Sequence, residues 1–157
     1  MFTQIKTSKE NKEVVSLLTR KLGLGTENII ARIAFTYSLS NDNKMDLNFI
    51  KDSSGKEYSK SVLFGDYYDI YLGLLCVHYG LYKTDKDIPR YIKMRVDDGL
   101  QLLYKEINER SNIDGFDFLS EKIQLLPSKT EARKMLQANG ISINKNKVNE
   151  VDHIVNE

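Results

Sequence analysis

The spacing of hydrophobic residues changes near the eighth residue, and this change predicts a strand followed by a helix. Residues 2–7 alternate apolar and polar side chains with a period of two, which is typical of a half-buried strand. From Val14 to Leu22 the apolar residues recur every three or four positions, which is the spacing of one helix face. Ser8 belongs to the residue types that favour the N-cap position, so we expect it to cap this helix.

A second helix is predicted directly after a glycine-rich turn. Gly23-Leu24-Gly25 contains two residues that adopt positive φ at low cost, so it ends the first helix. Thr26 suits the N-cap of the next helix. The apolar stripe of that helix consists of Ile29, Ile30, Ile33, Ala34 and Tyr37. Strand, helix, tight turn and helix form a ribbon–helix–helix-like unit, and such a small unit needs another chain, or more of its own chain, to cover its apolar stripes.

The middle of the chain predicts a hairpin and a second pair of helices. Residues 45–49 and 57–64 look extended and flank a polar turn, so they predict either a small β-hairpin or a pair of irregular segments. Tyr67–Tyr79 is apolar on nearly every side, so we expect this helix in the core or between subunits. A fourth helix is expected from Pro89 to Arg110, and Gly99 within it would let another helix approach closely.

The residues after 111 differ in character from those before. Apolar residues between Phe116 and Ile123 predict a short segment that docks on the rest, and Thr130–Ala138 predicts a two-turn helix. Asn144–Glu157 is rich in asparagine and charge, so we expect it to fray. The fold class expected from the whole sequence is mainly α, with a helical domain at 1–111 and a polar, partly helical or disordered extension at 112–157.

The composition of the chain says more about its cellular location than about its function. The net charge is +1, but residues 1–40 hold six Lys and Arg against three Glu, which is a mild local basic bias. Cys76 is the single cysteine, so the chain forms no internal disulfide and no cysteine cluster for zinc. The start lacks an apolar signal segment, and the apolar run Ile70–Val77 is too short for a membrane span. We therefore expect a cytoplasmic protein without membrane contact.

The order of several short motifs resembles the DndE family, whose members take part in bacterial DNA phosphorothioation. The motifs are K-L-G-L-G-T-E-N-I-I-A-R-I-A at Lys21–Ala34, F-G-D at Phe64–Asp66, I-Y-L-G-L-L at Ile70–Leu75, H-Y-G-L at His78–Leu81 and D-G-L-Q-L-L at Asp98–Leu103. The resemblance covers about two-thirds of the chain, from Ile5 to Tyr104. Some family members have a His-Arg-Gly motif where this chain reads Asp97-Asp98-Gly99, so a basic contact is not expected there.

The resemblance implies a DNA-binding accessory subunit that grips duplex DNA, including nicked DNA, while partner subunits insert the sulfur. Those partners would be a cysteine desulfurase, a sulfurtransferase-like subunit and an ATPase subunit. The resemblance also implies self-association, with a tetramer as the expected form. The chemistry of sulfur transfer would lie in the partners, so no cofactor is expected in this chain.

Two groups of residues are candidates for DNA contact. On the strand, Gln4 and Lys6 are expected to point away from the core, where a ribbon can enter a major groove and read bases. Phosphate binding is expected from cations and from the start of the second helix, whose free amides suit an anion. The residues of this second group are Lys9, Lys12, Arg20, Lys21, Thr26 and Arg32.

Other functions stay open as alternatives. A ribbon–helix–helix repressor would recognise an operator by its sequence, an enzyme would nick the strand, and a scaffold would bind only other subunits. A metal site for strand cleavage is not favoured, because the adjacent carboxylates Asp97 and Asp98 lie about 100° apart on a helix. His78 and His153 lack metal-ligand spacing, and Cys76 lies in the most apolar run, where core packing is expected.

Overall fold

The computed structural model describes residues 3–41, 43–110 and 113–122, together with the backbone of two short strands near the C-terminus. The strands are β1 Gln4–Lys6, β2 Glu57–Ser59, β3 Ser142–Ile143 and β4 Asn146–Lys147. The helices are α1 Asn11–Leu22, α2 Glu27–Ser40, α3 Lys60–Phe64, α4 Tyr68–Tyr79, α5 Ile88–Asn108 and α6 Gly115–Lys122. The chain divides into two compact units, Met1–Ile113 and Asp114–Glu157. The expected mainly helical fold is confirmed.

The core of the first unit is built where α2 packs along α5. Ala34 and Phe35 of α2 and Val96 and Leu100 of α5 are fully buried. Gly99 lies in α5 at the closest approach of the two helices, since a Cβ atom there would be 1.8 Å from the carbonyl oxygen of Ala34. The predicted close approach at Gly99 is therefore confirmed.

The predicted turn between the first two helices is confirmed. Gly23 follows α1 with φ 62° and its N–H donates to the carbonyl of Thr19 at 3.1 Å. This is the left-handed C-cap conformation that glycine adopts without steric cost. Thr26 occupies the N-cap position of α2 in an extended conformation, while its hydroxyl donates to the side-chain oxygen of Asn28.

The start of α1 differs from the prediction that Ser8 caps it. The helix begins at Asn11, and the Ser8 hydroxyl is buried without a hydrogen-bond partner among the described residues. The backbone N–H of Ser8 instead donates to the carboxylate of Asp97 at 2.9 Å. The prediction that Ser8 caps α1 was wrong, because Ser8 is held through its backbone N–H by the carboxylate of Asp97, which is distant in the sequence.

Strand β1 pairs with another strand of the same chain. It is antiparallel to β2, with Gln4 opposite Ser59, Ile5 opposite Tyr58 and Lys6 opposite Glu57. Ile5 and Tyr58 are the buried pair of this two-stranded sheet. The predicted hairpin between residues 45–49 and 57–64 was wrong, because Leu47–Phe49 forms a 3₁₀ turn and β2 pairs with β1 instead.

Helix α4 follows α3 through the 3₁₀ turn Gly65–Tyr67. Leu72 and Leu75 are its buried residues, and another face of the same helix is exposed. Gly80 ends α4 with φ 68°, and α5 carries Pro89 in its first turn, as the sequence predicts. The expectation of a helix buried on all sides is therefore not met by this chain alone.

The second unit contains α6 and the antiparallel pair of β3 with β4. Asp114 precedes α6 and its carboxylate accepts the N–H of Asp117 at 2.8 Å. The helix predicted at Thr130–Ala138 lies outside the described residues, as does most of Asn144–Glu157. Within the part of the chain that the structure describes, no helix combines the length and apolar character that a bilayer crossing requires.

Candidate nucleic-acid interface

Three of the predicted phosphate-binding cations lie along the outer side of α1. Lys9 precedes the helix, Lys12 lies in its first turn and Arg20 in its last, and all three side chains are exposed. Among the described residues none of the three side chains forms an ion pair with a carboxylate, and Asp52 bonds only the backbone N–H of Lys9, at 2.9 Å. Lys12 lies three positions after Lys9, and Arg20 lies eight positions after Lys12, about two turns further along the same side, so the three form a row.

The two candidates on β1 are exposed on one face of the sheet, on either side of the buried Ile5. Lys6 forms an ion pair with Glu57 on the neighbouring strand, with 3.0 Å between the ammonium nitrogen and the carboxylate oxygen. Gln4 lies opposite Ser59. A carboxylate beside Lys6 reduces the positive potential of this face, so it is less suited to a polyanion than the outer side of α1.

The remaining two basic candidates bind backbone carbonyls at helix ends. Lys21 donates to the carbonyl oxygen of Ile107 at 2.9 Å, in the last turn of α5. Arg32 is half-buried and donates through Nε to the carbonyl of Leu63 at 2.7 Å, at the end of α3. Cations at these positions satisfy carbonyls that have no partner within the helix. The structure thus gives Lys21 and Arg32 packing contacts in addition to their charge.

The N-terminus of α2 carries a carboxylate. Glu27 accepts a hydrogen bond from the Ser16 hydroxyl at 2.5 Å and forms an ion pair with Lys56 at 3.0 Å. Partial burial acts to raise the pKa of Glu27, but the hydrogen bonds from Ser16 and Lys56 outweigh it, so the pKa is lowered. The ionised side chain therefore occupies the helix end next to Thr26 at neutral pH, where the sequence had suggested room for a phosphate.

A buried network holds the segment that carries Lys9 and Lys12 on α5. Asp97 accepts hydrogen bonds from the Ser8 N–H at 2.9 Å, from the Asn11 amide at 2.6 Å and from the Lys93 ammonium at 2.6 Å. Every polar atom of this carboxylate thus has a partner in a region almost without water contact. This role of Asp97 was not predicted from the sequence, although the i,i+4 spacing of Lys93 and Asp97 indicates an ion pair.

A second buried group surrounds Arg95, which is fully buried. Its guanidinium donates to the carbonyl oxygen and the hydroxyl of Ser38, each at 3.1 Å, and lies 2.7 Å from Nε2 of His78. Asp98 accepts the hydroxyl of Ser38 at 2.5 Å. Asp97 and Asp98 therefore serve different networks, and the described residues contain no cluster of three metal-ligating side chains.

The cysteine has the properties of a packed thiol. Cys76 lies in α4 and is half-buried. Burial, with a smaller contribution from Asp85, raises the pKa of its thiol. A raised pKa lowers the thiolate fraction at neutral pH, and the thiolate is the form that carries or transfers sulfur.

The chain is similar to a known family and to solved structures of its members. The sequence profile described as "DNA sulphur modification protein DndE" matches residues 4–111. No curated protein matches the chain. The crystal structure of DndE from Escherichia coli B7A, involved in DNA phosphorothioation modification, superposes with a TM-score of 0.54 at 21% identity, covering 66% of this chain and 98% of that one.

A crystal structure of a DndE mutant with glycine-to-lysine substitutions, also involved in DNA phosphorothioation, superposes with a TM-score of 0.55 at 22% identity. That alignment again covers 66% of this chain and 98% of the other. At these identities the two structures establish a shared fold, and the profile match over residues 4–111 establishes the family. The chain belongs to the DndE family of DNA sulphur modification proteins.

Proposed function

We propose that this protein is a DNA-binding accessory subunit of the phosphorothioate modification system. It grips the sugar–phosphate backbone of duplex DNA, including at nicks, while partner subunits in the cytoplasm carry out desulfuration of cysteine, sulfur transfer and ATP hydrolysis. The observation that carries the proposal is the row of exposed, unpaired cations Lys9, Lys12 and Arg20 on α1 of a DndE-family chain.

The geometry favours contact with phosphates over reading of bases. Flexible lysine and arginine side chains on a convex helix face neutralise phosphates without any requirement for a base sequence. The strand face that would enter a groove carries Glu57 next to Lys6, and repulsion between this carboxylate and DNA offsets part of the attraction. We therefore assign Lys9, Lys12 and Arg20 the main contacts and Gln4, Lys6, Lys21, Thr26 and Arg32 the edge of the interface.

Self-association is part of the proposal because one row of three cations is a weak binding site. Each phosphate contact releases counterions, and affinity rises with the number of contacts made at once. An assembly of several copies would present several rows to one duplex, and the second contact would benefit from the high effective concentration set by the first.

A salt titration of DNA binding tests the proposal. The parent protein and a variant with Lys9→Gln, Lys12→Gln and Arg20→Gln are titrated with intact and nicked duplexes of two unrelated sequences. Because each lost phosphate contact removes about 0.9 from the slope of log affinity against log salt, we expect the slope of the variant to be shallower by at least about 2. The matched control, Lys44→Gln with Lys83→Gln and Lys86→Gln, removes the same charge from other exposed positions and should change the slope by less than about 1.

Three results would contradict the proposal, each in its own way. Equal slopes for the parent and the α1 variant would show that the cations are elsewhere. A difference in affinity above about 10³-fold between the two intact sequences would indicate a sequence-specific repressor instead. Conversion of supercoiled plasmid to the nicked form by the pure protein with Mg²⁺ would indicate an enzyme.

A further inference from the structure

A loop segment, residues 51–56, lies over the start of α1, and we call it the strap. Near its end, the N–H of Gly55 donates to the carbonyl oxygen of Thr7 at 2.9 Å. At its beginning, Lys51 forms an ion pair with Glu10, with 2.8 Å between the ammonium nitrogen and the carboxylate oxygen. The strap is therefore bound at both of its ends to the residues that lead into α1.

The strap contacts the chain before α1 very closely. A Cβ atom at Gly55 would lie 2.1 Å from the carbonyl oxygen of Ser8, a distance that no side chain permits. Glycine allows the two backbones to approach in this way. The strap thus has little freedom to shift relative to Ser8 and to Lys9 after it.

Asp52 is the residue of the strap that bonds the first cation of the α1 row. Its side chain is exposed, and one carboxylate oxygen accepts the backbone N–H of Lys9 at 2.9 Å and that of Ser54 at 2.9 Å. The bond from Ser54 holds the carboxylate within a local turn, as aspartate commonly does. The bonds from Lys9 and Ser54 lower the pKa of Asp52, so the side chain is ionised at neutral pH.

The backbone of Lys9 continues this connection into the helix. Its carbonyl oxygen accepts the N–H of Lys12 at 3.2 Å. We propose that Asp52 is a positioning residue for DNA binding, because its oxygen fixes the backbone from which Lys9 and Lys12 reach neighbouring phosphates. The inference rests on the proposed function and adds to it a residue that does not itself touch DNA.

Asp52 has two opposing effects on a bound duplex. Its negative charge repels phosphates, whereas its hydrogen bond orders Lys9 before binding and so reduces the entropy that binding costs. Two substitutions separate these effects. Asn keeps an oxygen that accepts both N–H groups, and Ala has none, while both remove the same charge. The difference between Asp52→Asn and Asp52→Ala therefore isolates the hydrogen bond.

Salt titrations of duplex binding test the inference. We expect Asp52→Asn to keep the parent slope of log affinity against log salt. Asp52→Ala should have a slope shallower by about 0.9–1.8, which corresponds to the loss of one or two phosphate contacts. The matched control is the pair Asp46→Asn and Asp46→Ala, which should have equal slopes. Asp46 is also exposed, and its carboxylate accepts the N–H of Asn48 at 2.8 Å within its own turn.

The same pair at position 52 is then measured in a background with Lys9→Gln and Lys12→Gln. We expect equal slopes there, because the side chains to be positioned are gone. A purely structural role would lower the urea midpoint of Asp52→Ala without making its slope shallower than that of Asp52→Asn. Equal slopes for Asn and Ala in the parent background, or a difference that persists in the glutamine background, would overturn the inference. An unchanged slope for the α1 variant with three glutamines would instead overturn the proposed function.

Discussion

Replacing Gly99 by alanine should destabilise the first unit, although the same change usually strengthens a helix. The new Cβ atom would be placed 1.8 Å from the Ala34 carbonyl oxygen, and ordinary contact begins near 3.4 Å, so α2 and α5 have to separate by about 1.6 Å. Overpacking of this kind costs about 1–3 kcal/mol and more where a backbone atom is hit, while the gain in helix propensity is about 1 kcal/mol. Because the contact is with a backbone atom, we take the upper end of this range and expect a net loss of about 2 kcal/mol.

The matched control is Gly73→Ala, where the added methyl group meets nothing within 4 Å. Here only the propensity acts, so we expect a gain of about 1 kcal/mol. Urea unfolding followed by circular dichroism gives the midpoints, and about 2 kcal/mol corresponds to a fall in Tm of about 4–8 °C for a chain of this size. Changes of the same sign at both glycines would refute the assignment of Gly99 to a backbone contact.

Two further predictions concern the charged networks. Asp97→Asn should cost about 3–5 kcal/mol in unfolding free energy because it leaves the buried Lys93 without its partner. A Lys93→Met, Asp97→Asn double variant removes the unpaired charge and keeps an oxygen that accepts from Ser8 and Asn11, so it should unfold at a higher urea concentration than Asp97→Asn. Glu27 contributes stability above its ordinary pKa of 4.5, and this is lost as the pH falls through its lowered pKa in the folded chain. Glu27→Gln should therefore unfold about 1 kcal/mol more easily than the parent at pH 7, and the difference should shrink as the pH falls. A difference that is absent at pH 7, or that grows as the pH falls, would contradict this sign.

The helices that the sequence predicted correctly are those whose signals are local. The turn after α1 needs positive φ at Gly23, and the periodicity of α2 and α5 follows directly from burial of one stripe. The prediction of a hairpin was wrong because β2 pairs with a strand that is distant in the sequence. Thr7 and Lys56, which bond to each other beside this pair of strands, are 49 positions apart. Ser8 was misread as a cap for the same reason, since its partner Asp97 is 89 positions away.

The sequence indicated which cations belong to the candidate site, but it did not indicate which groups they contact. The sequence identified every cation on α1, but it gave no sign that Lys21 and Arg32 bind carbonyls of α5 and α3. It also did not distinguish the two faces of α4, because a run of apolar residues shows hydrophobicity without showing which side is covered. These differences arise wherever a side chain's partner belongs to another element.

The pairing of β1 with β2 has a consequence for folding during translation. The first strand leaves the ribosome well before its partner, because residues bonded across the ladder are separated by 49 positions. At an elongation rate of about 5–20 residues per second, the N-terminal strand waits about 2–10 seconds before β2 is synthesised, and longer for the Asp97 carboxylate. During translation β1 thus keeps an unpaired edge until β2 is available, and the N–H of Ser8 lacks its acceptor until α5 is synthesised.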